Sequence, residues 1–223
     1  MTRTRKVEKN QRRAPTQARS RATVEAILDA AARIIRREGP GALTTNRIAE
    51  VAGVGVGSLY GYFPDKDAIQ LALARRMLAQ GDAAVVEAMA APSGLSPTRA
   101  MVRTILALHA ADKALRRAVM SVHIGLGHRG EHGESTRSTV AEIARRLSAQ
   151  GLVPPDPLRL FIVTRAVLGV ARALVEEPDG AVPDPRVLED ELIDLIRPYL
   201  AAPPANAAQR ATPPRRVRPL RSG

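Results

Sequence analysis

Apolar residues recur along this chain at helical spacing. Val24, Ile27, Leu28, Ala31, Ile34 and Ile35 follow i, i+3, i+4 and i+7, which puts them on one face of a helix that Gly39-Pro40-Gly41 stops. A short helix from about Thr45 to Ala52 follows, with Thr44 as its N-cap. The turn Gly53-Val54-Gly55 leads into a second short helix, about Val56 to Tyr62, which Pro64 ends. Asp65 then caps a longer helix running to about Ala90, with Asp65 and Asp67 at the positive end of its dipole. Past the break Ala91 to Pro97, periodicity predicts helices over about Thr98–Ala111, Asp112–Ile124, Ser135–Gln150, Leu158–Glu176 and Pro185–Leu200. The glycine-rich stretch Gly125 to Gly133 reads as a loop, and Pro154, Pro155 and Pro157 mark another connection. No segment alternates as a strand, so the expected class is all-α.

Composition narrows the chemistry. With 223 residues and 45% apolar content the chain is long enough to bury a substantial core. It has no cysteine, which excludes disulfides, thiolate metal sites and cysteine nucleophiles. No apolar run is long enough for a membrane span, and the N-terminus MTRTRKVEKNQRR lacks the apolar segment of a secretory signal, so a cytoplasmic protein without a membrane partner is expected. The net charge of +12 is unevenly placed: residues 1–21 carry +7, residues 201–223 carry +5, and residues 22–200 sum to zero. Two basic arms around a neutral body suit a domain whose tails meet a polyanion, although such tails also serve solubility alone. The last 23 residues, rich in Pro, Ala and Arg, cannot support a core.

Two short helices joined by a glycine turn after a packed first helix form a helix-turn-helix, whose second helix fits the major groove of DNA. The segment from Gly41 to Asp67 resembles the DNA-binding signature of TetR-type transcriptional regulators. Thr44-Thr45, Ile48-Ala49, Ala52-Gly53-Val54, Gly57-Ser58-Leu59-Tyr60, Tyr62-Phe63 and Lys66 carry that resemblance, which with the first helix spans roughly residues 16 to 75. It implies an N-terminal three-helix DNA-binding domain followed by a C-terminal helical ligand-binding and dimerisation domain. The expected units are a basic arm at 1–21, the helix-turn-helix domain at 22–67, the helical domain at 68–200 and a basic tail at 201–223.

Ile48, Ala49, Val51, Val54, Leu59 and Phe63 supply apolar faces that pin the short helices, which are too short to be stable unpacked. Thr45 stands near a helix N-terminus, where hydroxyl and amides can hold a phosphate, and Tyr60, Tyr62 and Lys66 can reach backbone oxygens from the other end of the unit. The resemblance implies the same four phosphate contacts. The second helix holds no Arg, Asn or Gln for bidentate base reading, so Val56, Gly57 and Ser58 are left to meet thymine methyls and base edges. Arg12, Arg13 and Arg19 are therefore expected to add minor-groove contacts from the N-terminal arm. Two positions depart from the family pattern: Gly55 stands where a Ser or Thr cap is usual, and Gly61 where a larger residue is usual. A glycine at position 61 inside the helix is expected to cost about 1 kcal/mol relative to Ala.

Other constellations weigh less. Gly53-Val-Gly-Val-Gly57 follows a helix rather than a strand and lacks GxGxxG spacing, so the helix-turn-helix explains it better than a nucleotide loop does. His123, His128 and His132, near Glu131 and Glu134, match no standard ligand spacing, and a polar loop is the simpler account than a metal site. No Ser/His/Asp set or paired carboxylates mark a catalytic site, and nothing calls for a cofactor. His109 either points into a ligand cavity or is a satisfied core histidine. Met101, Ile105, His109, Met120, His123, Phe161 and Arg165 are the candidate pocket residues, and with Phe161 and Tyr199 the only aromatics between residues 82 and 200 an aliphatic lining is expected. The resemblance implies dimerisation through the last two helices, with Leu168, Leu188, Leu192, Leu195, Ile196 and Tyr199 as candidate interface residues; internal core is the alternative. The reading is thus a dimeric regulator that a small-molecule effector releases from double-stranded operator DNA. An architectural DNA-binding protein without a ligand, and a small-molecule-binding enzyme with a vestigial helix-turn-helix, are the alternatives.

Overall fold

A computed structural model of the chain describes residues 4–125, 137–138, 140–142, 144–145, 156–178 and 180–202, with side chains described from residue 17 onward and not for residues 122–125. Among the described residues all regular structure is helical, in agreement with the all-α class. Among the described residues the elements with bounds are α1 (Thr4–Glu38), α2 (Thr45–Ala52), α3 (Val56–Tyr60), α4 (Lys66–Ala90), α5 (Pro97–Ala111), α6 (Lys113–Gly125), α7 (Pro157–Glu176) and α8 (Pro185–Ala201), with a 3-10 turn at Pro40–Ala42. The glycine-rich stretch after Gly125, the proline connection at 154–155 and the tail from residue 203 lie outside the described residues, as does most of the expected Ser135–Gln150 helix, whose described residues are helical.

Two boundaries differ from the sequence expectation. The first helix begins at Thr4, so the backbone of the basic arm continues the helix instead of preceding it; Ala, Arg, Lys and Gln are all good helix formers. The third helix stops at Tyr60, and Gly61 is its C-cap, donating its N–H to the carbonyls of Gly57 and Ser58 at 3.2 and 3.1 Å. Gly61 is therefore not an interior glycine, and the expected penalty does not apply to it.

The remaining caps follow local chemistry. Thr44, Asp65, Ser96, Asp156 and Asp184 each accept a backbone N–H in the first turn of the helix they precede. Three of those helices then carry Pro in their first turn, where the missing N–H has no partner to lose.

Burial divides the chain into two apolar cores. The first joins Ile27, Leu28, Ile34 and Ile35 of α1 to Ile48, Leu59, Phe63, Ile69 and Leu73, and takes in Leu115, Ala118 and Val119 of α6. The second joins Val85 of α4 to Met101, Val102, Ile105 and Leu106 of α5, Val163 and Val167 of α7, and Leu192, Ile193 and Ile196 of α8. Thus α4 contributes to both, with Ile69 and Leu73 in one and Val85 in the other. Polar ties reinforce the seam. Arg36 of α1 donates to Asp112 at 2.6 Å, while the other Asp112 carboxylate oxygen caps the start of α6 through Leu115 N–H. Arg76 of α4 reaches Glu25 and Asp29 of α1 at 2.8 Å each.

Candidate nucleic-acid interface

The relation between α2 and α3 is set by the turn at Gly53. Its φ of 67° and ψ of 31° lie in the left-handed region, which glycine enters without penalty. Gly53 N–H bonds the Glu50 carbonyl and Val54 N–H the Ala49 carbonyl, the paired closure that ends a helix and turns the chain. Ile48, Ala49, Leu59 and Phe63 are buried against α1, so the opposite faces of α2 and α3 are turned outward together. A second tie holds α2 to the end of α1: Arg47 donates two hydrogen bonds to Glu38, at 2.8 and 3.2 Å, and one to Glu50 at 2.9 Å. The hydrogen bond from Arg47 is the main cause that holds the Glu38 carboxyl below its ordinary pKa, and Glu38 in turn keeps Arg47 firmly protonated. The i, i+3 spacing of Arg47 and Glu50 was open to sequence reasoning; the partnership with Glu38 depends on how α2 folds back.

The candidate contact residues gather on the outward face. Tyr60 and Tyr62 are 51% and 39% exposed and Val56 39%, large fractions for such side chains, and Ser58, Gly57 and Lys66 are exposed beside them. Phe63 is part of the core instead. Thr45, 15 residues before Tyr60, has its hydroxyl 3.1 Å from the Tyr60 hydroxyl. One of the two donates to the other, and the proton left over is free to serve an external acceptor. Lys66 opens α4 next to Asp65, whose carboxylate accepts from Ala68 N–H at 2.7 Å. Arg19 is exposed on α1, and Arg12 and Arg13 lie on its helical backbone with side chains outside the described residues.

The candidate pocket residues stand in different surroundings. Met101 and Ile105 are buried in the second core. His109 is partly buried with its Nδ1 2.8 Å from the carbonyl of Ile105, one turn earlier; a carbonyl only accepts, so Nδ1 carries the proton. Met120 is partly buried on α6, and the side chain of His123 lies outside the described residues, as do His128 and His132. Phe161 is exposed, with the guanidinium of the partly buried Arg165 5.4 Å from its ring centre. No group of three or more metal-ligating side chains occurs among the described residues.

The candidate interface residues divide likewise. Leu192 and Ile196 are 6% and 2% exposed within one protomer, where they pack in the second core and have no surface left for a partner. Leu168 and Leu188 are partly buried against the same core, and Tyr199 lies under Arg159, whose guanidinium is 5.1 Å from its ring centre. Only Leu195 of that set is widely exposed, at 66%. Leu158, Phe161 and Ile162 of α7 and Val187 of α8 are exposed as well; none of these large apolar side chains was among the expected interface residues, and Phe161 was expected in the pocket. No helix among the described residues is long and apolar enough to cross a membrane.

Comparison with known proteins bears on both halves. Residues 27–73 match the model of bacterial regulatory proteins of the tetR family, and residues 97–200 match a tetracyclin repressor-like C-terminal domain. Among solved structures, a bacterial regulatory protein in the tetR family from Rhodococcus is 17% identical, with 82% of this chain and 98% of that one aligned at a TM-score of 0.56. A protein of Mesorhizobium loti assigned to the TetR-family transcriptional regulators is 18% identical over 82% and 97%, with a TM-score of 0.65. The multidrug binding protein EbrR, complexed with imidazole, is 18% identical over 82% and 97% with a TM-score of 0.57. No curated protein matches the chain in sequence.

Proposed function

This chain belongs to the tetR family of bacterial regulatory proteins, which are DNA-binding regulators of transcription, and from that premise we propose that it is a twofold dimeric repressor that a small molecule releases from its operator. The Thr45–Tyr60 hydroxyl pair carries the proposal. It sits on the outward face of the helix-turn-helix, between two helices whose other faces are buried, and it offers an O–H to an acceptor outside the protein. Thr45, Tyr60, Tyr62 and Lys66 hold phosphates and fix the register, while Val56, Gly57 and Ser58 face the bases. Arg12, Arg13 and Arg19 stand on the helical backbone of α1 and bring positive charge to the DNA, where their long side chains serve phosphates and the adjacent minor groove.

The partner in the dimer is a second copy, seated on the surface that exposes Leu158, Phe161, Ile162, Val187 and Leu195. A twofold pair presents two α3 helices to two half-sites. Release is transmitted by α4, which belongs to both cores, and by the Arg36–Asp112 tie between α1 and the start of α6. An effector in the C-terminal helices shifts the protein only as far as its affinities for the two states differ. EbrR, a multidrug binding protein of similar fold, supports a small organic molecule as that effector.

The test uses full-length wild-type and Tyr60→Phe proteins and a duplex enriched from a random-sequence library by the wild-type protein. Losing a hydrogen bond to a charged phosphate costs about 1.5–3 kcal/mol, so fluorescence anisotropy should show affinity falling by about tenfold or more at fixed salt, with the thermal melt unchanged. Affinity within twofold of wild type removes the hydroxyl pair from the interface.

A further inference from the structure

Three glycines flank or interrupt α3, and they do not share one explanation. Gly61 has the least room: its backbone is ordinary right-handed helix, but a Cβ there would stand 3.2 Å from the carbonyl oxygen of Ser58 and 3.8 Å from that of Gly57, so a larger residue needs a shift of a few tenths of an ångström. Gly55 precedes the helix in an extended conformation open to any residue, φ −66° and ψ 142°, and a Cβ would make an ordinary contact with Ser58 Oγ at 3.7 Å. Gly57 has neither constraint. It lies inside α3, its φ is not positive, and apart from its chain neighbours and the backbone of its own helix nothing lies within 4 Å of the place its Cβ would occupy. Glycine is the poorest helix former except for proline, and a helix of five residues has little stability of its own. Alanine would therefore suit the unbound protein better at this position.

The space beside Gly57 is on the outward face. Its neighbours Val56, Ser58 and Tyr60 are exposed, while Leu59 is fully buried. Tyr60, three residues on and so on the same side of the helix, is hydrogen-bonded to Thr45. The residues left to face the bases, Val56 and Ser58, are short. Short side chains touch base edges only if the helix backbone itself comes close.

We infer that Gly57 is the point of closest approach between the α3 backbone and DNA, and that its missing Cβ is what lets Val56 and Ser58 discriminate sequence. A methyl group there stands off the helix by about the length of a C–C bond, about 1.5 Å, which is enough to lift short side chains out of contact. The inference rests on the DNA-reading function proposed above and adds to it a specificity-determining residue.

The experiment compares wild type, Gly57→Ala and Tyr60→Phe as full chains, on the duplex enriched by the wild-type protein and on an unrelated duplex of equal length. For Gly57→Ala the melting temperature should stay the same or rise by up to about 4 °C. Its affinity for the enriched duplex should fall tenfold or more, while affinity for the unrelated duplex stays within threefold. Tyr60→Phe should weaken both duplexes alike, since phosphates carry no sequence information. A Gly57→Ala protein that binds the enriched duplex within twofold of wild type, that loses equally on both duplexes, or that melts at lower temperature overturns the inference while the regulator reading stands. Failure of the wild-type protein to enrich any sequence instead overturns the reading on which it rests.

Discussion

Two leucines one turn apart on α8 separate the protomer core from the proposed partner surface. Leu192 is 6% exposed and Leu195 is 66% exposed. Complete burial of a leucine side chain is worth about 1.5–3 kcal/mol, so the exposed part of Leu195 leaves about 1–2 kcal/mol to be gained on association. Twofold symmetry counts that gain twice, about 2–4 kcal/mol for the dimer. Leu195→Glu loses it and adds a carboxylate that must shed water, so the dissociation constant should rise at least about 30-fold and up to about 1,000-fold. Sedimentation equilibrium over a concentration series should find a helical monomer where the wild type is a dimer, with circular dichroism confirming that the helices persist. Leu192→Glu should act on the fold instead, because a charge in the second core has no partner and no water. A Leu195→Glu protein that dimerises at wild-type concentrations, or a Leu192→Glu protein that keeps the wild-type melt, refutes the assignment of the two faces.

Two further outcomes follow from local geometry. Glu189 is buried and accepts from Arg103 at two points, 2.9 Å each, and from Arg99 at 2.8 Å; the hydrogen bond from Arg103 is the main cause that holds its carboxyl below the ordinary range. Because the folded pKa is the lower one, its stabilising contribution is present in full above the unfolded value near 4.3 and is lost as pH falls through the folded value. Urea midpoints measured from pH 7 down to pH 3 should therefore decline less steeply for Glu189→Gln than for wild type at the acid end, and equal slopes would exclude this carboxylate as a source of the acid sensitivity. Gly55→Ser gives α3 the side-chain cap it lacks in a backbone conformation that serine adopts freely, and it narrows the unfolded ensemble, so chemical denaturation should show a gain of about 0.5–1 kcal/mol. A loss of stability would show that the extra side chain clashes in the turn.

What the sequence determined by itself is local. The helix starts at Thr44 and Asp65, the turn at Gly53 and the apolar face of α1 are each decided by residues within a turn or two of one another, so periodicity and capping chemistry placed them. The outward set of Thr45, Val56, Gly57, Ser58, Tyr60, Tyr62 and Lys66 was legible for the same reason, and through the motif these residues form. Tertiary structure alone decided matters that depend on distant partners. The hydroxyls of Thr45 and Tyr60 meet because Gly53 turns α3 back, and Glu189 is paired because α5 brings Arg99 and Arg103 to it from some 90 residues away. Gly61 proved to be a cap because α3 is shorter than the apolar spacing suggested. The stripe on α8 is the plainest case: it is wider than one neighbour can cover, and Leu192, Leu195 and Ile196 look alike in it. Only the packing of α5 and α7 against one side shows that Leu192 and Ile196 hold the protomer together while Leu195 stays outside, where a partner can reach it.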